Sequence, residues 1–409
     1  MHHLHRFNKK ILATAFACCV PVSLAHANGF RVPEVSVAGT ATANALVANA
    51  DELGAIPYNP AAISFHEGNN VMLGVNNVNY EHTVTPDGGT RTEGTGETSF
   101  LIPNFLVSTL GDNGVGFALL VNSPFGLETK YPDETFPGFA GALDPLEPET
   151  SRIKMLNINP NVSYKIDKNS SVAFGLDFYD LIDLTFNTQA IKVNGSGNGI
   201  GYNFAYLTKI DKFNIGVSYR SSVTTEITGQ FDARGVGSSV IGAEAKLKFP
   251  SMLQIGVQYN PTTNLGIEFD VEHTGWSSFD TITVTDSTGN VLTSSTNNWE
   301  NTIAYRLGLS YKITSDTKIL FGYAYDKTPQ GDDFFSARVP DADRQLFSIG
   351  ASHVFSSWKL EYSYMYVDVD NRVFNSSTGF AGEPNGTTLY NGKYESDVSL
   401  IGISLSKAF

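Results

Sequence analysis

Cysteine is almost absent from this 409-residue sequence, which has only Cys18 and Cys19. Both fall in an N-terminal stretch laid out like a secretory leader, so the exported chain is expected to carry no disulfide and no thiol chemistry. Long hydrophobic runs are also missing. Beyond residue 27 no stretch approaches 18 apolar residues. That excludes membrane-spanning helices but not a membrane β-barrel, whose strands are apolar on one face only. Charged residues are scarce at 17%, against the usual ~25%. The formal net charge is −14, which argues against nucleic acid as a partner. Four histidines stand before residue 28. The others, His66, His82, His273 and His353, have no ligand spacing. No metal and no cofactor are expected.

The leader reading rests on residues 1–27. Arg6, Lys9 and Lys10 form a basic start, Ile11 to Val20 a short apolar run, and Pro21 breaks it. Ala25-His26-Ala27 supplies small residues for cleavage. The mature chain then begins at Asn28 and carries −17, since three basic residues and no acidic ones are removed. Ala17-Cys18 also admits a lipoprotein reading, but residues 15–17 lack the usual Leu.

What the sequence has is glycine (38 residues), aromatics (12%) and a period of two. In 155–166, Leu156, Ile158, Val162, Tyr164 and Ile166 fall on one face, with Asn157, Asn159, Asn161, Ser163 and Lys165 on the other. Such alternation places one face in an apolar medium. It recurs in fourteen strand candidates, starting near residues 69, 98, 114, 152, 170, 199, 212, 243, 264, 300, 317, 343, 357 and 394. Connections after even-numbered candidates are short, such as Gly111-Asp112-Asn113 and Asp167-Lys168-Asn169. Most after odd-numbered ones are long: 81–97, 123–150, 286–299, 326–342 and 371–393. Tight turns at one end and long loops at the other are the signature of an outer-membrane barrel. In 400–409, Ile401, Ile403, Leu405 and Phe409 share a face, with Lys407 among them. The fold class is therefore an all-β, 14-stranded antiparallel transmembrane barrel over residues 69–409.

Residues 28–68 do not alternate. They hold the small-residue stretch 38–50 and then Asn59-Pro60-Ala61. A helical turn or two is plausible at 41–50. A 14-stranded barrel is too wide for its own side chains to fill, so this segment is read as a plug, the other choice being a flexible periplasmic tail.

Taken in order, several stretches resemble one family. They are Asn28-Gly29-Phe30 at the mature start, Asn59-Pro60-Ala61, "SPFGLETKYPDE" (123–134), "TGWSSF" (274–279) and "RVPDADRQLFSIG" (338–350). The chain resembles the long-chain fatty acid transporters of the Gram-negative outer membrane, the FadL/TodX family. The resemblance implies a monomeric barrel in a membrane of lipid and lipopolysaccharide, closed by an N-terminal hatch. It implies passive uptake: a long-chain fatty acid or other hydrophobic small molecule is captured between outer loops and moves to an internal pocket. Hatch movement then releases it sideways near strand three.

On that basis Phe30, Asn59, Pro60 and Ala61 are expected at the hatch and substrate gate. The wall is expected to open beside Gly114, Gly116 and Ala118, because small residues weaken a strand. An extracellular hydrophobic groove is expected from Phe125, Leu127, Tyr131, Phe136, Phe139 and Leu143, with Leu146 beside them; the same residues can instead pack loop on loop as a lid. A carboxylate head group needs a cation, and Lys192, Arg306, Arg338 and Arg344 are the candidates. Arg338, Asp341, Asp343 and Arg344 equally suit a charge cluster that holds a loop.

Other signals carry less. "NGSGNGIG" (194–201) reads as a loop, since Ile200 replaces the third glycine of a nucleotide-binding turn. Ser352 and His353 are adjacent on a strand and point to opposite faces, so an enzyme is not expected. The competing classes are a general diffusion porin, a hydrocarbon channel of the same family and a surface adhesin on a barrel scaffold.

Overall fold

A computed structural model describes residues 29–234 and 239–409 of this chain. The leader and the cleavage site lie outside the described residues. The first strands are β1 (Gly68–Pro86), β2 (Ser99–Leu110), β3 (Val115–Asn122), β4 (Pro148–Lys165) and β5 (Ser170–Thr188). Next come β6 (Ile191–Ile210), β7 (Phe213–Arg220, resuming at Val223–Ala233) and β8 (Ser239–Phe249, resuming at Met252–Tyr259). The ring is completed by β9 (Leu265–Thr274), β10 (Thr302–Lys312), β11 (Thr317–Asp326), β12 (Arg344–Phe355), β13 (Trp358–Val369) and β14 (Gly392–Ala408). Each pairs antiparallel with the next. β14 then pairs with β1 from Asn70↔Ala408 to Pro86↔Gly392, closing a 14-stranded barrel.

Period two explains the ring. Ile158, Val162 and Tyr164 on β4 are exposed at 45%, 38% and 53%, while Asn157, Asn159, Asn161 and Ser163 are buried. The same outward apolar face continues through Phe174, Phe204, Phe269, Phe321, Tyr362 and Ile403. An apolar surface running round a whole barrel needs hydrocarbon as its solvent. Lys407 shares that face, and its ammonium lies 5.0 Å from the Trp358 ring centre and 4.4 Å from that of Phe409. Two aromatic faces so accommodate the one cation of this strand end.

Two sequence readings need correction. The glycine-rich 194–201 is not a loop: it continues β6, which turns back from β5 through Gln189 and Ala190. Glycine is required there because β7 crosses closely. A Cβ on Gly199 would stand 2.5 Å from the Thr224 carbonyl oxygen. The helical turn expected at 41–50 lies earlier, as α1 (Val37–Ala41), where the Ser36 hydroxyl caps the Gly39 N–H at 3.0 Å.

Residues 29–66 run inside the ring. Val37, Ala41, Val47, Ile56, Ala61 and Ile63 are fully buried. α1 packs on β11 to β14 and β1, and the 3₁₀ turn Pro60–Phe65 packs on β2 to β6. Inward glycines let the segment lie directly on the wall. A Cβ on Gly322 would collide with the backbone of Thr42, and one on Gly308 would stand 3.0 Å from the Ala45 Cβ.

Candidate ligand cavity and wall opening

The site begins at Gly29. Its φ of +60° is the left-handed region that glycine occupies without strain. Its N–H donates to Asp341 Oδ2 at 3.0 Å. That bend turns Phe30 into an aromatic cluster, with ring centres 4.8 Å from Trp276, 5.2 Å from Phe279, 5.5 Å from Trp299 and 6.1 Å from Phe125. Phe30 is 4% exposed.

Residues 30–32 then pair with the chain just beyond β3. Gly126 N–H donates to the Phe30 carbonyl (3.0 Å) and Val32 N–H to the Pro124 carbonyl (2.9 Å). After Asn122 the chain therefore leaves the wall for the lumen. It regains the wall at Gly126–Lys130, which pairs with β4 at Thr150–Lys154. The wall is left incomplete. β2 pairs with β3 over Phe105–Leu110 only, so among the described residues Ser99–Asn104 have β1 on one side and no strand on the other. Met155 and Leu156 of β4 face the same gap. Pro103 sits on its edge, and proline, having no N–H, is tolerated in a sheet chiefly at edges.

A cavity of about 480 Å³ lies behind the gap, within the usual range for a small-molecule site. Its apolar lining includes inward Ile102, Phe125, Met155 and Leu346. It also includes lipid-side residues at the gap, Leu101 (70% exposed), Leu156 and Ile182 (52% exposed). The cavity so meets both faces of the wall. Phe30, Arg31 and Glu34 border it from the N-terminal segment.

The wall expected to open beside Gly114, Gly116 and Ala118 has no gap there. Gly116 and Ala118 pair on both sides, with Leu110 and Ser108 of β2 and with Ser163 and Asn161 of β4. Gly114 belongs to the tight turn, where its carbonyl accepts from Lys165 N–H at 2.8 Å. Small residues there serve close packing: a Cβ on Gly116 would meet Ile63 at 2.7 Å.

The expected groove is mostly closed. Phe125 belongs to the Phe30 cluster, and Leu127 packs against it. Tyr131, Phe136 and Phe139 are buried with Phe335, Phe374, Tyr390 and Tyr394, and Leu143 and Leu146 pack on them half-buried. The Tyr131 hydroxyl donates to the Ala337 carbonyl at 2.8 Å. Tyr131, Phe136 and Phe139 therefore pack loop on loop.

Asn59, Pro60 and Ala61 are fully buried at the short-turn end. Asn59 Oδ1 caps Ala61 N–H (3.1 Å), while its Nδ2 donates to the carbonyls of Val47 (2.7 Å) and Tyr206 (3.0 Å). One side chain thus caps a turn that begins with proline, braces the segment and ties it to β6. Nearby, Glu52 accepts from Lys318 and Lys359 of β11 and β13. Burial pushes its carboxyl up, but the two lysines outweigh that and hold it well below the usual range.

Of the four expected cations only Arg344 lines the cavity. Lys192 is on β6, opposite Asp232 and Asn187. Arg306 is fully buried and ion-paired with Asp326 (3.0 Å) and Glu272 (3.5 Å). Arg338 turns away toward Ser151 Oγ and the Asn187 carbonyl, each at 3.5 Å. It does not join Asp341, Asp343 and Arg344 in one cluster. Arg31, which sequence reading missed, lines the cavity and is ion-paired to Glu272. Three carboxylates at alternate positions of β9 hold this segment: Glu268 accepts from Ala48 N–H (2.6 Å), Asp270 from Val47 N–H (3.0 Å) and Glu272 from Arg31. That alternation, Glu268, Asp270, Glu272 facing inward, was readable as a charged stripe on an inner face.

The profile of the outer membrane transport proteins described as OMPP1/FadL/TodX matches residues 18–409. The chain belongs to this family. It is an outer-membrane protein. The proteins it resembles include the 47 kDa outer membrane protein of Pasteurella multocida, 26% identical over 400 residues (86% of this chain, 89% of the relative). The long-chain fatty acid transport protein of Escherichia coli K12 is 23% identical over 425 residues (88% and 93%). Among solved structures, a Pseudomonas aeruginosa FadL homologue superposes with a TM-score of 0.78 at 18% identity, covering 93% of this chain and all of the homologue. The Ralstonia pickettii toluene transporter TbuX gives 0.71 at 15% identity, covering 92% of this chain and all of the transporter. At those identities the likeness is one of fold.

Proposed function

We propose that this barrel, acting as a monomer among lipid and lipopolysaccharide, carries hydrophobic small molecules passively across the outer membrane. The single observation behind this is a mostly apolar cavity lined by residues from both faces of the wall. A ligand enters from the loop end, rests beside Phe30, and leaves through the gap between Ser99–Asn104 and Met155–Leu156. Residues 29–66 act as the hatch, and Phe30 competes with the ligand for the aromatic cluster. Long-chain fatty acids and hydrocarbons are both carried by relatives named for them, so both classes suit the reading. A general porin suits it poorly, because the buried segment fills the lumen that ions would cross.

Cysteines placed at Leu101 and Leu156 and joined by a cleavable bis-maleimide provide the test. Closing the gap is expected to lower uptake of labelled oleate and toluene at least tenfold, and cleavage to restore it. A control pair at Phe117 and Val162, where the wall is already paired, should leave uptake unchanged. Unaltered uptake through the closed gap sinks the lateral route, and steady ion conductance by the native chain sinks the transporter reading.

A further inference from the structure

The cavity carries information about the ligand's head group. Arg344 opens β12 and lines the cavity, with 19% of its side chain exposed. Its nearest carboxylate contact is Asp326 Oδ2, 3.7 Å from Nε. Among the described residues, neither its Nε nor its Nη2 donates a hydrogen bond. Unused donors on a mostly buried guanidinium are costly and rare in native proteins. The other cations at the cavity are already engaged: Arg31 with Glu272, and Lys154 with Glu97 at 3.2 Å.

A cation with idle donors suggests a carboxylate ligand, but the local charge count opposes it. With the pairs Lys154–Glu97, Arg152–Glu128 and Arg372–Asp332 cancelling, three cations stand around this end, Arg31, Arg306 and Arg344. Against them stand four carboxyls, Glu34, Glu272, Asp326 and Asp341. Arg344 acts electrostatically on both Glu34 and Asp341. Burial pushes Asp341 up, and Arg344 opposes that together with the hydrogen bonds it accepts from the Thr328 hydroxyl and Gly29 N–H, contacts that suit its ionised form. Burial raises Glu34, whose Oε1 accepts from Asn44 at 3.0 Å. Even with one proton held between Glu34 and Asp341 the count is only balanced, so no positive surplus awaits an anion. A further carboxylate would lose its hydration and gain repulsion. A neutral oxygen would accept from Arg344 without adding charge.

We propose that the cavity is a binding site for uncharged hydrophobes bearing one oxygen acceptor, such as ketones, esters or alcohols. The oxygen sits on the Arg344 guanidinium and the hydrocarbon lies along Ile102, Met155 and Leu346. This rests on the transport reading above and narrows its substrate class.

The test uses the full-length protein folded in detergent, with folding checked by the heat-modifiable shift of barrels on gels. Calorimetry at pH 8 compares three molecules of similar size: ethylbenzene, acetophenone and benzoate. The native chain is expected to bind acetophenone and ethylbenzene and to bind benzoate weakest. Arg344→Met is expected to weaken acetophenone roughly tenfold, the worth of a hydrogen bond to a charged donor, with ethylbenzene within about twofold. Arg344→Lys, which keeps a donor, should recover part of the loss. Benzoate binding tighter than acetophenone overturns the proposal, as does an Arg344→Met variant that weakens both neutral ligands alike. Ethylbenzene binding with acetophenone indifferent to Arg344→Met sinks this inference and leaves the transport reading standing. Binding of none of the three sinks both.

Discussion

Arg31 and Glu272 form a buried ion pair that joins the N-terminal segment to the inner face of β9. Glu272 also receives Gln254 Nε2 at 2.6 Å and Arg306 at 3.5 Å. Removing one member of such a pair leaves its partner buried and uncompensated, a cost of about 3–5 kcal/mol. Arg31→Met is expected to loosen the segment, raising hydrogen exchange at the amides of residues 30–50 while the strands stay protected. Combining it with Glu272→Gln should recover part of the protection. Equal exchange in native and Arg31→Met protein would show that the pair does not hold the segment.

Phe30 is held by five aromatic rings. Truncating a buried Phe typically costs about 3–5 kcal/mol, and here it empties space beside the cavity. Phe30→Ala should bind a monoaromatic ligand several-fold tighter, read by quenching of tryptophan fluorescence. If affinity and uptake both stay at native values, Phe30 does not compete with ligand and serves the plug alone.

Gly322 faces the backbone of Thr42 and Ala43. Gly322→Val leaves no room for the segment against β11, yet its strand pairing with Gly308 and Ser348 can persist. The expected product is a folded barrel with a displaced plug. Planar-bilayer recordings should show a conductance that the native chain lacks. A silent bilayer with a correctly folded variant would mean the segment can shift without opening a pore.

The loop before β12 is expected to loosen as pH rises. Burial, with Asp370 and Asp341 close by, pushes the Asp343 carboxyl up to about 6 from its ordinary value near 4. A raised carboxyl favours the folded loop while protonated, so its contribution is full below the ordinary value and is lost as pH rises toward 6. Proteolysis within 327–343 should therefore speed up between about pH 4 and 6, and Asp343→Asn should flatten that profile. An unchanged profile in the variant would assign the dependence to another group.

Much of the barrel was legible because its cause is local. Alternation along β4 or β13 reports bilayer on one side and a filled lumen on the other, and short turns fix which ends meet. β6 was read short because Gly195, Gly197 and Gly199 have no side chains to alternate. They are glycines because β7 lies against them, a fact about a neighbour. The site was harder for the same reason. Tyr131, Phe136 and Phe139 are apolar in a loop whether they line a groove or pack under a lid, and only their partners from 335–394 decide it. Gly114 to Ala118 suggested weakness, whereas the unpaired stretch is Ser99–Asn104 with Pro103 on its edge, and a proline alone could not mark it, since Pro160 lies inside β4 opposite Leu119.

The unpaired edge at Ser99–Asn104 has a consequence for the membrane around it. Among the described residues, backbone carbonyls there have no strand to accept from on the gap side, and dry hydrocarbon cannot satisfy them. Lipid tails beside β2 and β4 therefore cannot seal against the barrel as they do elsewhere, and water or head groups must reach down to that edge. The molecule so has a front and a back in the plane of the membrane. A neighbouring protein against β9 to β13 would meet a continuously paired wall, while one seated over β2–β4 would cover the gap.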